Sequence, residues 1–254
     1  FQDHHFKNGK RVPPIVSNVC NYTKPVGDGP ALVSLEQTET LFHEFGHAIH
    51  GLYSQVNYPS LAGTLTARDF VEFPSQANED WSIDPQVLAN YAKHYQTGEP
   101  IPAELLTKVL KAHTFNQGYG TVEYLSAALL DMEWHSIAAD TEITDVAAFE
   151  KQALAKHGLD YAPVPPRYKT TYFSHSFGGG YSAGYYAYLW TEVFAADSFS
   201  YMMSQGGLTL ENGQKYRDTV LSKGNSQDLM QSYIDFAGKK PSTDALLKRR
   251  GLVH

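Results

Sequence analysis

The sequence TLFHEFGHAIHG at residues 40–51 contains the pattern His-Glu-x-x-His. Apolar residues or Thr recur at positions 38, 41, 42, 45, 48, 49 and 52, and these steps of three and four predict an amphipathic helix. Ser34 and Gln37 form an S-x-x-Q capping box at its start, and Gly51 is a candidate stop signal. One helix is therefore predicted to carry both histidines.

His43 and His47 are four residues apart, so on a helix both imidazoles project from one face, one turn apart. This spacing suits two corners of a tetrahedral zinc ion. Glu44 lies beside them, close enough to act on a water at the ion but angled away from coordination. His50 shares the face and is expected to pack. Because such a short pattern also occurs by chance, the zinc hypothesis requires a third ligand.

The third ligand is predicted to be Glu72, in the segment DFVEFPSQ at residues 69–76. Large apolar neighbours, Val71 and Phe73, indicate burial, which is costly for a carboxylate unless it is paired or coordinates a metal. The alternative is a surface glutamate on a short amphipathic helix. Glu79, seven residues further along, is either a hydrogen-bond partner of a ligand histidine or an exposed residue.

A second informative stretch, YFSHSFGGGYSAGYYAYLW, occupies residues 172–190. Its three glycines favour a loop that backbone or ligand can approach closely, and the lack of a following Lys-Ser/Thr weakens a phosphate-binding interpretation. A helix is predicted over 181–204, with tyrosines at i, i+4 and i+7 on one face: Tyr181, Tyr185 and Tyr188. Such a face either lines a core or, beside a zinc ion, donates hydrogen bonds to an oxyanion. His175 would do the same or bind substrate.

The remaining sequence predicts a mainly α-helical chain with a small antiparallel β element before the metal-binding helix. Residues 14–22 and 31–33 are the predicted strands. Further helices are predicted at 84–98, 103–116, 122–139, 146–157, 211–223, 227–237 and 243–250. With no repeat or linker visible, residues 1–254 are interpreted as one catalytic region, with a β-containing lead-in at 1–34 and a helical body at 35–254.

Composition narrows the class of partner. The formal net charge of −7 argues against nucleic acid or an anionic membrane surface, and no apolar run has the length of a membrane span. The basic run at 248–250 suits the negative end of a helix dipole. A single cysteine, Cys20, excludes an internal disulfide and favours a reducing, cytoplasmic location.

Together, the motif at 43–47, the segment at 69–76 and the segment at 175–188 resemble the catalytic part of the thimet oligopeptidase (M3) family of zinc metallopeptidases. The details of residues 173–190 and 221–229 are most similar to the peptidyl-dipeptidases of that family. The resemblance implies a zincin-type, mainly helical fold. It also implies one Zn²⁺ held by His43, His47 and Glu72, although cobalt or manganese suits the same ligands.

By the same resemblance, Glu44 matches the general base. His175, Tyr181 and Tyr188 match residues that contact the scissile region and stabilise the tetrahedral intermediate. Tyr185, from its place on the predicted tyrosine face, is a further candidate substrate contact. Short unstructured peptides are the implied substrates, with C-terminal dipeptides as products. The alternatives are an internally cleaving oligopeptidase of the family and a zinc-binding fragment inactive without its upstream half. The family's long upstream helical region is absent from this sequence, so a separate N-terminal chain is an expected partner.

Overall fold

A computed structural model describes residues 1–253 of the chain, which is mainly helical. The helices are α1 Leu35–Tyr53, α2 Arg68–Val71, α3 Phe73–Glu79, α4 Pro85–Tyr91, α5 Ala103–Ala112, α6 Gln117–Trp134, α7 Val146–Lys156, α8 Ser174–Phe177, α9 Ala187–Ser204, α10 Leu210–Tyr216, α11 Leu229–Ala237 and α12 Asp244–Arg249. A π-helical turn, Arg217–Leu221, continues α10. None of the helices within this range combines the length and apolar character needed to cross a bilayer.

The small antiparallel sheet is present, but the two predicted strands at 14–22 and 31–33 are wrong. Its strands are β1 His5–Lys7 and β2 Lys10–Val12. Asn8 and Gly9 connect them with φ values of 53° and 75°, and a two-residue turn with both residues left-handed matches the twist of a hairpin. The local turn chemistry therefore decides where the chain pairs.

Helix α1, the predicted metal-binding helix, begins where predicted and ends later than predicted. Ser34 Oγ accepts a hydrogen bond from the Gln37 amide at 3.1 Å, and the Gln37 side chain accepts one from the Ser34 amide at 2.9 Å. Gly51 does not stop α1, which continues to Tyr53. A Cβ on Gly63 would lie 2.8 Å from the Gly51 Cα. The close approach of the two backbones thus requires glycine at position 63, while Gly51 lies inside the last turns of α1.

Helix α4 keeps its predicted start and is shorter than expected. Asp84 Oδ1 accepts hydrogen bonds from the amides of Gln86 and Val87, which caps the first turn. The helix ends at Tyr91, and Gly98 lies in a turn at φ 73°. The segment between them forms a turn because Lys93 pairs with Pro100 in an isolated antiparallel bridge.

Helix α9 lies at the centre of the helical body. Nine of its residues are buried, and six of them are consecutive, residues 193–198, so this part of the helix is covered on all sides. An aromatic core joins α9 to α2, α3 and α11, and its members include Phe70, Phe73, Phe194, Tyr233 and Phe236. This packing fixes α3, which follows Glu72, against α9, which carries Tyr188.

The basic run at 248–250 forms ion pairs in addition to closing α12. The Arg249 guanidinium donates to both carboxylate oxygens of Asp80 at 3.0 and 2.9 Å and to Glu192 at 2.8 Å. Arg250 also contacts Glu192. These contacts fasten the end of the chain to α9 and to the turn that follows α3.

Candidate metal centre

Two elements bring the predicted ligand atoms together. Helix α1 presents His43 and His47, whose ring centroids are 4.9 Å apart and nearly perpendicular. Glu72 occupies the junction between α2 and α3, and only 3% of its surface is exposed. Its Oε2 lies 3.2 Å from His43 Nε2 and 3.1 Å from His47 Nε2. The alternative interpretation of Glu72 as a surface residue is therefore wrong.

The geometry of this group fits a tetrahedral metal ion. One ligand atom from each of His43, His47 and Glu72 lies within 4.8 Å of the others. Ligand bonds of about 2.1 Å at tetrahedral angles separate neighbouring ligand atoms by roughly 3.4 Å, close to the two separations above. Two imidazole nitrogens and one carboxylate also form the donor set of catalytic zinc sites.

Glu79 supports this group from α3. Its Oε1 lies 2.5 Å from Nδ1 of His43, on the side of the ring opposite Glu72. A carboxylate that binds the second nitrogen of a ligand histidine fixes the ring orientation and its tautomer. Of the two sequence interpretations of Glu79, the structure agrees with the hydrogen-bond partner.

The electrostatics of the site favour a cation. Burial opposes a charge on His43, but hydrogen bonds with Glu72 and Glu79 outweigh burial and raise its pKa to about 10. Burial alone would raise the pKa of Glu72, yet hydrogen bonds from His43, His47 and Tyr181 hold that pKa well below its usual range. The same carboxylates that stabilise a proton on His43 would stabilise a divalent ion in its place.

The predicted general base, Glu44, lies on α1 next to His43. It is partly exposed and lines a cavity of about 350 Å³ together with His47 and polar residues that include Asn18 and Thr64. Glu44 and the ligand candidate His47 therefore share one cavity in which water fits.

Three residues of the second motif meet beside Glu72. The Tyr181 hydroxyl donates a hydrogen bond to Glu72 Oε1, and the Tyr181 ring stacks on Tyr188 with centroids 5.2 Å apart. The His175 ring lies 6.0 Å from each of these tyrosine rings. Burial raises the pKa of both phenols, so both remain proton donors at neutral pH. The structure thus groups all three predicted side chains.

The helix predicted over 181–204 begins later, at Ala187. Ala183 has a left-handed φ of 54°, which excludes a continuous helix through this segment. Tyr181 and Tyr185 therefore approach Tyr188 from a turn rather than from one helix face. Tyr185 is buried, and its ring packs against Phe173, so it lies mainly in the core.

Asp131 organises this turn, a role that is not predicted from the sequence. The carboxylate is fully buried in α6 and accepts hydrogen bonds from the Ser176 hydroxyl and from the amides of Ala183 and Tyr185 at 3.1 and 3.0 Å. Its only sequence signal is one acidic residue in an apolar helical run. That signal does not reveal a partner 45 residues away.

The glycines before the turn serve close packing. A Cβ on Gly179 would lie 3.2 Å from the backbone of His175, and Gly180 adopts a φ of 79°. The Tyr181 amide donates a hydrogen bond to the His175 carbonyl at 2.9 Å. These glycines let the chain fold back over the short helix α8 and bring Tyr181 next to His175.

The sequence profile of Peptidase family M3 matches residues 2–252. The chain is 52% identical over 239 residues to each of two proteins named dipeptidyl carboxypeptidase, from Salmonella typhimurium and Escherichia coli, covering 94% of this chain and 35% of each relative. It is 36% identical over 253 residues to oligopeptidase A of Haemophilus influenzae, covering 97% of this chain and 36% of that relative. The chain thus spans about a third of the length of these relatives.

Proposed function

This chain belongs to peptidase family M3, and from that premise we propose that it is a zinc-dependent peptidase that hydrolyses short unstructured peptides and releases C-terminal dipeptides. The observation that carries the proposal is the convergence of His43, His47 and the buried carboxylate of Glu72 beside a partly exposed Glu44. The 52% identity to dipeptidyl carboxypeptidases supports the dipeptide product.

His43, His47 and Glu72 would hold the zinc ion, with Glu79 fixing the His43 ring through Nδ1. When bound, zinc lowers the pKa of a coordinated water to about 7 and polarises a peptide carbonyl. Glu44 accepts the proton of the attacking water and then delivers it to the leaving amine. The three hydrogen-bond partners of Glu72 outweigh the effect of its burial and keep that carboxylate ionised for coordination.

The phenol of Tyr188 would donate a hydrogen bond to the oxyanion that forms when water attacks the carbonyl. Tyr181 stacks on Tyr188 and donates to Glu72, so it both holds the ligand and positions its neighbour. Burial lowers the pKa of His175, and an imidazole that is neutral at pH 7 offers one N–H to the substrate. Tyr185 supports these rings from the core.

An internally cleaving oligopeptidase is the second candidate, favoured by the 36% identity to oligopeptidase A. The two activities differ in whether the substrate's free C-terminal carboxylate matters. A peptidyl-dipeptidase requires it, whereas an oligopeptidase cleaves a peptide amide equally well.

The proposal is tested with the purified chain, loaded with one equivalent of zinc and incubated with a nonapeptide as the free acid and as the amide. Mass spectrometry should show successive loss of C-terminal dipeptides from the free acid only. Glu44→Gln is the matched variant: it should retain zinc and lose turnover. Internal cleavage of both peptides would favour the oligopeptidase, and cleavage by the Glu44→Gln chain would remove Glu44 as the base.

A further inference from the structure

One carboxylate of α6 contacts the chain on both sides of the three glycines. We call residues 178–186, which link α8 to α9, the tyrosine turn. Ser176, in α8 just before the turn, donates its hydroxyl to Asp131. The amides of Ala183 and Tyr185, near the end of the turn, donate to the same carboxylate at 3.1 and 3.0 Å. A single side chain therefore fixes where the turn begins and where it ends.

A second contact attaches α8 to the same part of α6. His135 lies one helical turn after Asp131, and its Nδ1 atom is 3.0 Å from the Asp131 carboxylate. The His135 ring also stacks on Phe177, with centroids 5.9 Å apart and planes inclined by 26°. Two consecutive residues of α8, Ser176 and Phe177, thus contact residues four apart on α6. These contacts hold the preceding residue of α8, His175, in a defined position.

The backbone of the tyrosine turn needs such support. Ala183 has a φ of 54°, a left-handed conformation that costs free energy in a residue with a Cβ and persists only where surrounding contacts enforce it. The hydrogen bond from the Ala183 amide to Asp131 is one such contact. The Ser182 hydroxyl makes another, because it donates to the Ser176 carbonyl at 2.6 Å and closes the turn on α8. Strained backbone of this kind is typical of segments that present functional side chains.

The side chains beside the metal-binding group come from three different segments. His175 belongs to α8, Tyr181 to the tyrosine turn and Tyr188 to α9. Their rings nevertheless lie 5.2 to 6.0 Å apart, so no single helix fixes these distances. The hydrogen bonds to Asp131 join the first two segments and end at Tyr185, two residues before the third begins. The mutual placement of the three rings therefore depends on one buried carboxylate.

Stability alone gives little reason for a carboxylate at this position. The Asp131 side chain is fully buried, and removing a carboxylate from water is costly unless its hydrogen bonds compensate. A well-packed apolar side chain often stabilises a core as much as a buried ion does. An apolar side chain cannot, however, accept hydrogen bonds from donors at three fixed places. What the carboxylate adds is a single arrangement of those donors.

Resting on the proposed function, we propose that Asp131 is a positioning residue for peptide hydrolysis. It acts through the tyrosine turn on Tyr181, Tyr188 and His175, and it neither binds the metal nor transfers a proton. By fixing both ends of the turn, it places these side chains where a developing oxyanion meets its hydrogen-bond donors. A displacement of about 1 Å in such groups lowers a rate by roughly 100-fold.

The first test replaces the carboxylate by an amide. Asp131→Asn keeps the size of the side chain but turns one acceptor oxygen into an NH2 group, which opposes the donor that faced it. At saturating zinc, the variant should hydrolyse the free-acid nonapeptide with a kcat about 10- to 100-fold lower and with KM nearly unchanged. This combination identifies an interaction that is made in the transition state and not in the bound substrate.

Asp197→Asn is the matched control for a merely structural effect. Asp197 is also a buried carboxylate, in α9, and it accepts hydrogen bonds from the Tyr233 hydroxyl at 2.5 Å and from Lys239 at 3.0 Å. Its replacement should lower the unfolding temperature, as Asp131→Asn does, and leave kcat unchanged. Equal values of kcat in the two variants would overturn the positioning role of Asp131.

Hydrogen exchange of the metal-free chain, followed by mass spectrometry, measures the turn itself. Asp131→Asn should speed exchange by about tenfold in peptides that cover residues 176–186, the effect of losing one hydrogen bond, and should leave peptides of α1 unchanged. Asp197→Asn should leave both regions unchanged. A loss of kcat in Asp131→Asn without faster exchange in the turn would overturn the proposal.

Ser176→Ala provides a milder version of the test, which applies if Asp131→Asn does not fold. It removes one donor and keeps the carboxylate, so kcat should fall by a smaller factor, about 3- to 10-fold. An unchanged kcat in this variant would contradict the role of Asp131. The proposed function fails separately, if the unmodified zinc-loaded chain cleaves no peptide. Since the exchange measurement needs neither zinc nor substrate, it then still decides whether Asp131 holds the turn.

Discussion

The Nδ1 atom of His43 lies 2.5 Å from Oε1 of Glu79, while Nε2 of the same ring lies 3.2 Å from Glu72. One imidazole is therefore held between two carboxylates that come from one short stretch around α3. The contact with Glu79 directs the opposite nitrogen toward the metal-binding group. Since Glu79 does not itself join that group, its effect on a metal would act entirely through His43.

Replacing Glu79 by Gln should weaken zinc binding by about 10- to 100-fold, as loss of an outer partner of a ligand histidine typically does. The amide removes the negative charge that stabilises and orients the imidazole. Competition with a chelator measures the dissociation constant. Glu211→Gln, at an exposed position on α10, is the control and should leave the constant unchanged. Equal affinities for the two variants would mean that the Glu79 contact does not support the metal.

The metal-free chain should lose stability as the pH rises above about 6.5, the ordinary pKa of histidine. Because the folded-state pKa of His43 is raised to about 10, its stabilising effect is complete below 6.5 and is lost as the pH rises through 10. Urea unfolding of the metal-free protein at pH 6, 8 and 10 measures the change. A His43→Gln chain lacks the group and should show a smaller decline. Identical declines in both proteins would show that the raised pKa of His43 is not the cause of the loss of stability.

Zinc affinity should increase with pH, whereas the stability of the metal-free chain should decrease. A histidine binds zinc only when it is neutral, so zinc must displace the proton that Glu72 and Glu79 stabilise on His43. Affinity should therefore increase from pH 6.5 toward 10, with release of a proton on binding. Calorimetry in two buffers of different ionisation enthalpy counts the protons released. Binding at pH 8 with no proton release would show that His43 is already neutral in the metal-free chain.

Two tyrosine variants should separate ligand support from stabilisation of the oxyanion. Tyr188→Phe should lower kcat by about 10- to 1,000-fold, the scale of losing one oxyanion donor, with zinc affinity unchanged. Tyr181→Phe removes the hydroxyl that donates to Glu72, so it should also weaken zinc binding by roughly tenfold. Steady-state kinetics at saturating zinc and chelator competition provide the two readouts. Loss of zinc affinity in the Tyr188 variant instead would reverse the two roles.

Local signals made the metal helix predictable. Its start depends on Ser34 and Gln37, three residues apart, and its apolar period is visible within one window of sequence. The spacing of His43 and His47 is also a local signal, since residues four apart on a helix project from the same face. The burial of Glu72 followed from its apolar neighbours. In each case, the residues on which the prediction depends lie close together in the sequence.

The parts that failed depend on contacts that are remote in sequence or on turn chemistry that was overlooked. The late start of α9 follows from Asp131, which binds the amides of Ala183 and Tyr185 more than 50 residues away. The helix propensities of the residues before Ala187 do not reveal that hydrogen bonds to a distant carboxylate compete with helix formation. The hairpin at 5–12 carried a signal in Asn8-Gly9, but its strands have three residues each and show no alternation long enough to detect.

Gly46 provides a stability test of the contact between α1 and α3. A Cβ at this position would lie 2.5 Å from the Ser75 Cα and 2.7 Å from the Pro74 carbonyl oxygen. Both are backbone atoms of α3, so neither can move away unless the helix moves. Gly46→Ala should therefore force the helices apart and lower the free energy of unfolding by about 1–3 kcal/mol, as overpacking does. Because His43 and His47 lie on one helix and Glu72 precedes the other, zinc affinity should fall with it. Thermal unfolding and chelator competition measure the two effects.

Gly120 is the matched control for that substitution. It lies inside α6, and a Cβ there would meet nothing within 4 Å. Gly120→Ala should leave zinc binding unchanged and stabilise the chain by about 0.4–1 kcal/mol, since alanine restricts the unfolded chain at no steric cost. The two substitutions should change the free energy of unfolding in opposite directions. Because both replace glycine by alanine inside a helix, helix propensity cannot explain that difference, whereas the close approach of α1 to α3 can. If Gly46→Ala were as stable as Gly120→Ala and kept its zinc affinity, the two helices would not be held at the distance that brings Glu72 to the histidines.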